Sequence, residues 1–262
     1  MRPLLAALLL CAICAAQAPP PPPAVTPQEN SRQARALLSQ AIAALGGPAY
    51  LDLQDMQQEG RTYSFFQGRP RDAGLLFWAF VKFPDKERVE LTKQRDVTYL
   101  YNAGNGYEIT YKGTRALDPN DVNEYMRQRR FSLGYVLRQW VNAPGVELFY
   151  EGRVFAENKP ADQVSLLNSN NEGVTLFLDP ETHLPVKKSF RWRDPETHDR
   201  NEETETYENY HLVQGIETAF GTTRYHNGVM SRQRFITRTV YNAGLADSFF
   251  AAGPVNYNPN KR

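Results

Sequence analysis

Four histidines, His183, His198, His211 and His226, are the first residues to test for metal or acid–base chemistry. No two of them share an HExxH or other zinc-type spacing. His198-Asp199 with Glu202, Glu203 and Glu205 offers a weak cation site, but an exposed, charged strand and turn is the plainer reading. Carboxylates are frequent along the chain, as glycosidase-type acid/base catalysis would require, yet no pair is singled out. There is no Gly-x-Ser-x-Gly elbow and no phosphate-cradling loop, and Gly104-Asn105-Gly106 reads as a hairpin turn. The only cysteines, Cys11 and Cys14, lie in an N-terminal segment expected to be removed. That leaves no thiolate nucleophile, disulfide or Cys-ligated zinc. The expectation is a protein that binds rather than catalyses, with no cofactor and no metal.

That N-terminal segment has the layout of an export signal. Arg2 supplies the positive end, Leu4–Cys14 an apolar core too short to span a bilayer, and Ala16-Gln17-Ala18 a small-residue cleavage site. Residues 1–18 are thus expected to be a cleaved signal peptide. Lipid anchoring at Cys14 is disfavoured because Cys11-Ala12-Ile13 is a poor match to the small residues that normally precede a lipidated cysteine. Residues 19–25 form a proline-rich linker, with Pro19–Pro23 stiff and extended. One domain is expected over 26–252, followed by a Pro/Asn-rich flexible tail at 253–262. The roughly 240 residues after the signal suffice for one core without disulfides.

The elements are legible in turn. Thr26, Pro27 and Glu29 form a helix start, and Ala34, Leu37, Leu38, Ala41, Ile42 and Leu45 recur on one helical face until Gly46-Gly47-Pro48. Short strands follow at Gln54–Phe66, Leu75–Phe83, Arg88–Leu91, Val97–Asn102 and Gly106–Lys112, the last with Tyr107, Ile109 and Tyr111 expected to face inward. Because Leu75–Phe83 is nearly continuous in apolar residues, both its faces are expected to be covered. Asp118 and Pro119 open a helical insert carrying Val122, Tyr125, Met126, Leu133, Val136, Leu137, Trp140 and Val141, broken near Phe131-Ser132 and ended by Asn142–Gly145. Seven more strands run from Val146 to Val240, joined by turns such as Asp179-Pro180-Glu181-Thr182, Asp194-Pro195-Glu196-Thr197 and Asn227-Gly228. Successive hairpins mean a meander. The fold class is mainly β with helices (α+β), a curved antiparallel sheet with helices over its apolar face.

Near-balanced charge and the lack of a long basic run argue against nucleic acid as a partner. Fourteen Tyr and fourteen Phe are spread over the strands. Large rings make rigid walls, either of a filled core or of a ligand cavity. The candidate wall residues are Phe77, Val89, Leu91, Tyr99, Tyr107, Ile109, Phe155, Leu176, Phe190 and Trp192. Leu38, Ile42 and Leu45 of the first helix, with Met126, Leu137 and Trp140 of the insert, would face them as lids. In the run Arg127-Gln128-Arg129-Arg130, either a solvated helix face, or Arg129 and Arg130 as head-group contacts at a pocket mouth, fits the pattern.

The order of elements resembles the LolA/LolB-like periplasmic lipoprotein carriers, whose broader superfamily includes LppX-type lipid carriers and the RseB-type envelope-stress sensor. The likeness rests on Thr222–Gly228, on Tyr241-Asn242-Ala243-Gly244-Leu245-Ala246-Asp247-Ser248-Phe249-Phe250, and on the hairpin Leu178–Val186. The chain departs from a minimal carrier in its greater length and its tail. The resemblance implies an incomplete β-barrel with an apolar concave side, lidded by helices, that accepts acyl chains. It implies a monomer in the periplasm carrying a lipid or lipoprotein acyl chains between inner- and outer-membrane donor and acceptor proteins. The alternatives are an RseB-like sensor or regulator binding peptides or lipids and, as a third, a carbohydrate-active β-sandwich enzyme.

Overall fold

The structure, a computed structural model, describes residues 26–257. The expected signal peptide, the proline run and the end of the tail lie outside the described residues. Helix α1 (Pro27–Leu45) begins where Thr26 Oγ1 accepts the Glu29 N–H at 3.2 Å, and its stripe Ala34, Leu38, Ala41 and Leu45 is buried. It stops at Gly46, whose φ of 131° suits glycine, and where a Cβ would lie 2.6 Å from the Gly215 carbonyl oxygen. A single-turn helix α2 (Pro48–Leu51) follows.

The first run of strands is β1 (Asp55–Phe66), β2 (Arg69–Pro70), β3 (Leu75–Lys82), β4 (Lys86–Leu91), β5 (Val97–Asn102), β6 (Asn105–Thr110) and β7 (Gly113–Ala116). Helix α3 (Pro119–Arg130), capped by Asp118, leads into a short α4 (Leu133–Tyr135) and a π-helical turn (Val136–Trp140). The second run is β8 (Glu147–Ala156), β9 (Lys159–Leu167), β10 (Gly173–Leu178), β11 (Pro185–Arg193), β12 (Arg200–Val213), β13 (Ile216–His226) and β14 (Val229–Tyr241). All pair antiparallel in one open sheet ordered β7-β6-β5-β4-β3-β1-β14-β13-β12-β11-β10-β9-β8, with β2 pairing only to β1. Two meanders are thus zipped together along β1 and β14.

The sheet must curl. Tyr125 of α3 stacks on Tyr101 of β5 with ring centroids 3.5 Å apart, and Phe131, just past the same helix, stacks on Phe190 of β11 at 4.3 Å. Those strands are seven steps apart, about 34 Å in a flat sheet, whereas a helix of twelve residues is only about 18 Å long. Only a trough lets one short helix touch both walls.

Two cores lie on opposite faces of this trough. On the concave face, α1, α4 and the π-helical turn cover β8–β11, joining Leu38, Leu45, Leu137 and Trp140 to Leu148, Val164, Leu176 and Phe190. On the convex face of β3–β5, the segment after β14 folds back. Phe249 meets Phe80 edge-on at 4.9 Å, and Leu100 and Phe250 are fully buried. Both faces of β3 are covered as its apolar run requires. Asp55 ties this segment down: its carboxylate accepts the N–H groups of Ala243, Gly244 and Leu245 at 2.7, 2.9 and 3.0 Å. Replacing a buried carboxylate leaves three donors without an acceptor, so Asp55→Ala is expected to destabilise by about 3 kcal/mol. A lowered urea midpoint with an unchanged slope checks this.

Candidate functional site

The sequence places the candidate binding surface between sheet and helices, as an apolar hollow. Register decides which candidate residues meet there. Phe77 opposite Leu91 and Val89 opposite Tyr99 share the concave face, and Leu176, Phe190 and Trp192 share it on the far wall. Tyr107 and Ile109 are corrections. The tight turn after β5 pairs Tyr99 with Glu108 and Leu100 with Tyr107, which sends Tyr107 and Ile109 to the convex face. Phe155 is a third, 82% exposed near the tip of the β8–β9 hairpin.

The far wall is solid. Phe131 lies flat on Phe190, at an interplanar angle of 1°, and Trp140 closes on Phe131 at 5.3 Å. Leu38, Leu45, Leu137 and Trp140 are buried in the same cluster with Ile42 packed against it, so α1 and the π-helical turn belong to the core rather than to a lid. Met126 is half-buried on α3.

Helix α3 is held differently. It buries no residue. Its contacts are polar or stacked: Tyr125 donates to Glu87 at 2.7 Å, Arg129 to the Pro84 carbonyl at 2.9 Å, and Gln128 to Glu203 at 3.3 Å. Arg127 lies over Trp192 at 4.3 Å, and the close approach of Val122 needs Gly106, where a Cβ would stand 2.8 Å away. Arg129 pairs with Glu87 at 3.3 Å and Arg130 with Glu172 at 2.7 Å. The two candidate head-group arginines therefore engage protein acceptors.

Beneath α3 the trough floor carries charge, contrary to the apolar lining expected. Glu203 and Glu205 point inward, not to solvent, because their cross-strand neighbours are Phe190, Lys188 and Arg224, and Tyr207, two residues further along β12, shares their face. Lys188, 2% exposed, pairs with Glu205 at 3.2 Å, and Arg224 Nη2 reaches Glu205 at 3.3 Å. Tyr207 donates to Glu205 at 2.8 Å, and Arg224 also donates to Gln128 of α3. Arg224 Nε lies 3.1 Å from Glu203 Oε1 but is angled so that it makes no hydrogen bond. Arg232 and Arg234 continue the row on β14, where Arg234 covers Phe77 at 4.2 Å.

These groups bound two adjoining spaces. A polar hollow of about 350 Å³ is lined by Glu124, Gln128, Arg224, His226, Ser231 and Arg232. An apolar recess of about 450 Å³ is lined by Phe65, Phe66, Val229 and Met230 with Gln67 and Asn227, and it shares His226 and Ser231 with the first.

The remaining histidines do structural work. His183 and His198 end two identical Asp-Pro-Glu-Thr-His turns, each at φ near 60°, in which Asp179 and Asp194 accept two backbone N–H bonds apiece. His211 packs on Phe220. Among the described residues no cluster of three His, Cys, Asp or Glu could hold a metal ion.

Electrostatics make the floor a coupled unit. Burial pushes the Glu205 carboxyl up, but Lys188, Arg224 and the Tyr207 hydroxyl outweigh it and hold the group well below the usual carboxylate range. Burial pulls the Lys188 ammonium down, with Glu205 opposing. A carboxyl depressed on folding stabilises fully above its ordinary value of 4.5, and that stability is lost as pH falls below it. Glu205→Gln is therefore expected to cost about 3–5 kcal/mol at neutral pH by stranding Lys188, and to flatten the loss of stability below about pH 4.5. Lys188→Met added to it should recover part of the cost; denaturant midpoints between pH 3 and 7 measure both effects.

No family model matches the sequence, and neither does any curated protein. Solved structures do match. A DUF1329 family protein from Desulfovibrio piger superposes with a TM-score of 0.57 at 11% identity, over 85% of this chain and 99% of the other. A putative outer membrane lipoprotein-sorting protein domain from Vibrio parahaemolyticus gives 0.53 at 10% identity, over 84% and 97%. A LolA superfamily protein from Nitrosomonas europaea gives 0.51 at 13% identity, over 83% and 97%. At such identities the likeness concerns architecture, and the architecture of this chain is the open, mainly antiparallel LolA-like fold.

Proposed function

We propose that the protein is an exported carrier that holds a lipid, or an acyl chain of a lipoprotein, on the concave face under α3 and delivers it across the periplasm to the outer membrane. The observation that carries this reading is the contrast between the helices. α1 buries four apolar residues, whereas α3 crosses the trough and buries none. Lifting α3 exchanges hydrogen bonds and ion pairs for water, each a modest net loss of about 1 kcal/mol, and exposes the hollow without opening the core. Such an element is a lid.

The space suits an amphiphile in which one tail lies in the recess. At about 30 Å³ for a water-sized group, 450 Å³ holds on the order of fifteen such groups. Each buried methylene contributes roughly 0.8 kcal/mol, so one alkyl chain is enough for useful affinity. A second or third chain needs the lid raised. The fold family of the neighbours and the N-terminal pattern of residues 1–18 support export.

A peptide sensor that works by adding a strand finds little purchase. At the β7 edge the Thr114 carbonyl accepts the N–H groups of Asn256 and Tyr257. At the β8 edge Asn30 of α1 bonds both the N–H and the carbonyl of Tyr150, at 2.9 and 2.7 Å.

Native mass spectrometry of the full chain, purified from the periplasm, is expected to show co-purified lipid. A Tyr101→Cys/Tyr125→Cys variant, bridged by a short reducible cross-linker, should lose lipid loading by at least about tenfold and regain it on reduction, because the bridge ties α3 to β5 where the two rings meet in the parent. Repeated recovery of the bare chain, or equal loading of bridged and reduced protein, overturns the reading.

A further inference from the structure

We propose that the hollow under α3 is an anion subsite, and that the cargo is an acidic amphiphile whose phosphate or carboxylate head meets Arg224 and Arg232, with Arg234 adding positive charge beside them, while its tail occupies the Phe65–Phe66–Val229–Met230 recess. The proposal rests on the carrier reading and names its substrate class.

The charge count is the first argument. Lys188, Arg224, Arg232 and Arg234 share the floor with Glu203 and Glu205, while Glu87 is engaged by Arg129. Glu124 lines the same hollow from α3 but is itself exposed and receives Gln128 at 3.0 Å. The floor is therefore short of negative charge. Neither Arg232 nor Arg234 forms an ion pair among the described residues; Arg234 has only the Phe77 ring. Clustered guanidiniums within a protein trough are costly unless something neutralises them.

The second argument is geometric. Arg232 is exposed and lines the open hollow together with Glu124 and Gln128 of α3 and Arg224 of β13. Arg224 Nε is buried and donates to nothing, an orphaned donor beside the same space. A doubly acceptor head group would take the forked donors of two arginines at once.

The third argument is adjacency. The polar hollow and the apolar recess share His226 and Ser231, so a head in one and a tail in the other belong to a single molecule. A free inorganic anion would leave the recess without a role.

Calorimetric titration of the delipidated full chain with dioctanoyl phosphatidic acid, dioctanoyl phosphatidylcholine and inorganic phosphate tests this. The acidic lipid should bind at least about tenfold more tightly than the zwitterionic one with the same tails, the size of one charge-assisted bond. Arg232→Gln/Arg234→Gln should abolish that preference, and Arg232→Lys should keep most of it. Since both side chains lack an ion pair, the double variant should melt at or above the parent. If it fails to fold, Arg232→Gln alone should still lose at least about threefold of the preference. Equal affinity of the two lipids in the parent protein overturns the proposal and leaves the carrier reading intact. Binding of neither lipid overturns both. Inorganic phosphate binding as tightly as the acidic lipid overturns the head-group assignment in favour of a free-anion site.

Discussion

The ion pair between Lys188 and Glu205, shared with Arg224, is the constraint on which the concave face depends. Three adjacent strands each put a charge at the same level of the trough, and none can be moved without stranding the others. A pair this deep gains little net stability over an apolar trio of the same volume, because desolvation offsets the attraction. What it secures is register. Slipping β12 by one residue would turn Glu203, Glu205 and Tyr207 outward and press Glu202, Thr204 and Thr206 against Lys188.

The network also divides the trough into two ends with different fates. Toward β8–β11, apolar side chains and the α1 stripe close into a filled core, with Phe131 and Phe190 in face contact. Toward β1 and β14, bulges at Glu59/Gly60 and Arg224/Tyr225 bend the strands, and Arg232 of β14 lines the hollow opposite Glu124 and Gln128 of α3. The filled end gives the molecule its stability, and the charged end keeps its space. Convex packing by Phe249 and Phe250, fixed through Asp55, frees the concave side of β3–β5 from having to serve as a core. The proposed carrier function requires that separation: if one face both folded the protein and bound the ligand, every release would begin to unfold it.

Much of this was legible in the sequence, for physical reasons that can be named. The cap at Thr26, the Asp118-Pro119 start and the break at Phe131-Ser132 each fall within a residue of the observed boundaries, because caps and prolines act locally. The double cover of β3 followed from its unbroken apolar run. Tyr107 and Ile109 were misplaced because face depends on turn length: with Asn102 opposite Asn105, paired residues have opposite parity in number, so Tyr99 and Tyr107 cannot share a side. Glu203 and Glu205 read as solvated because a charged strand usually is. The overlooked signal was the alternation itself, Glu203-x-Glu205-x-Tyr207 against Arg224 and Arg232-x-Arg234, period-two charge that becomes internal once the strands are neighbours. No local rule reveals that pairing, and the segment after β14 was likewise silent about which face it would cover.

The polar nature of the lid contacts follows from the same pattern. An apolar α3 over an apolar trough would close irreversibly in water and empty poorly, since the hydrophobic gain scales with the area it hides. Tyr125, Gln128 and Arg129 instead meet Glu87, Glu203 and Arg224, partners that water can replace at little net cost. Gln128 is the hinge of that exchange, because it touches Glu203 and Arg224 together. Under the proposed carrier function, an anion arriving at Arg224 would compete with the Gln128 carbonyl oxygen for the same guanidinium, so ligand entry and loosening of α3 would draw on one donor. Coupling of that kind needs no long-range path: in the proposed carrier, the group that would recognise the cargo is the group that binds α3.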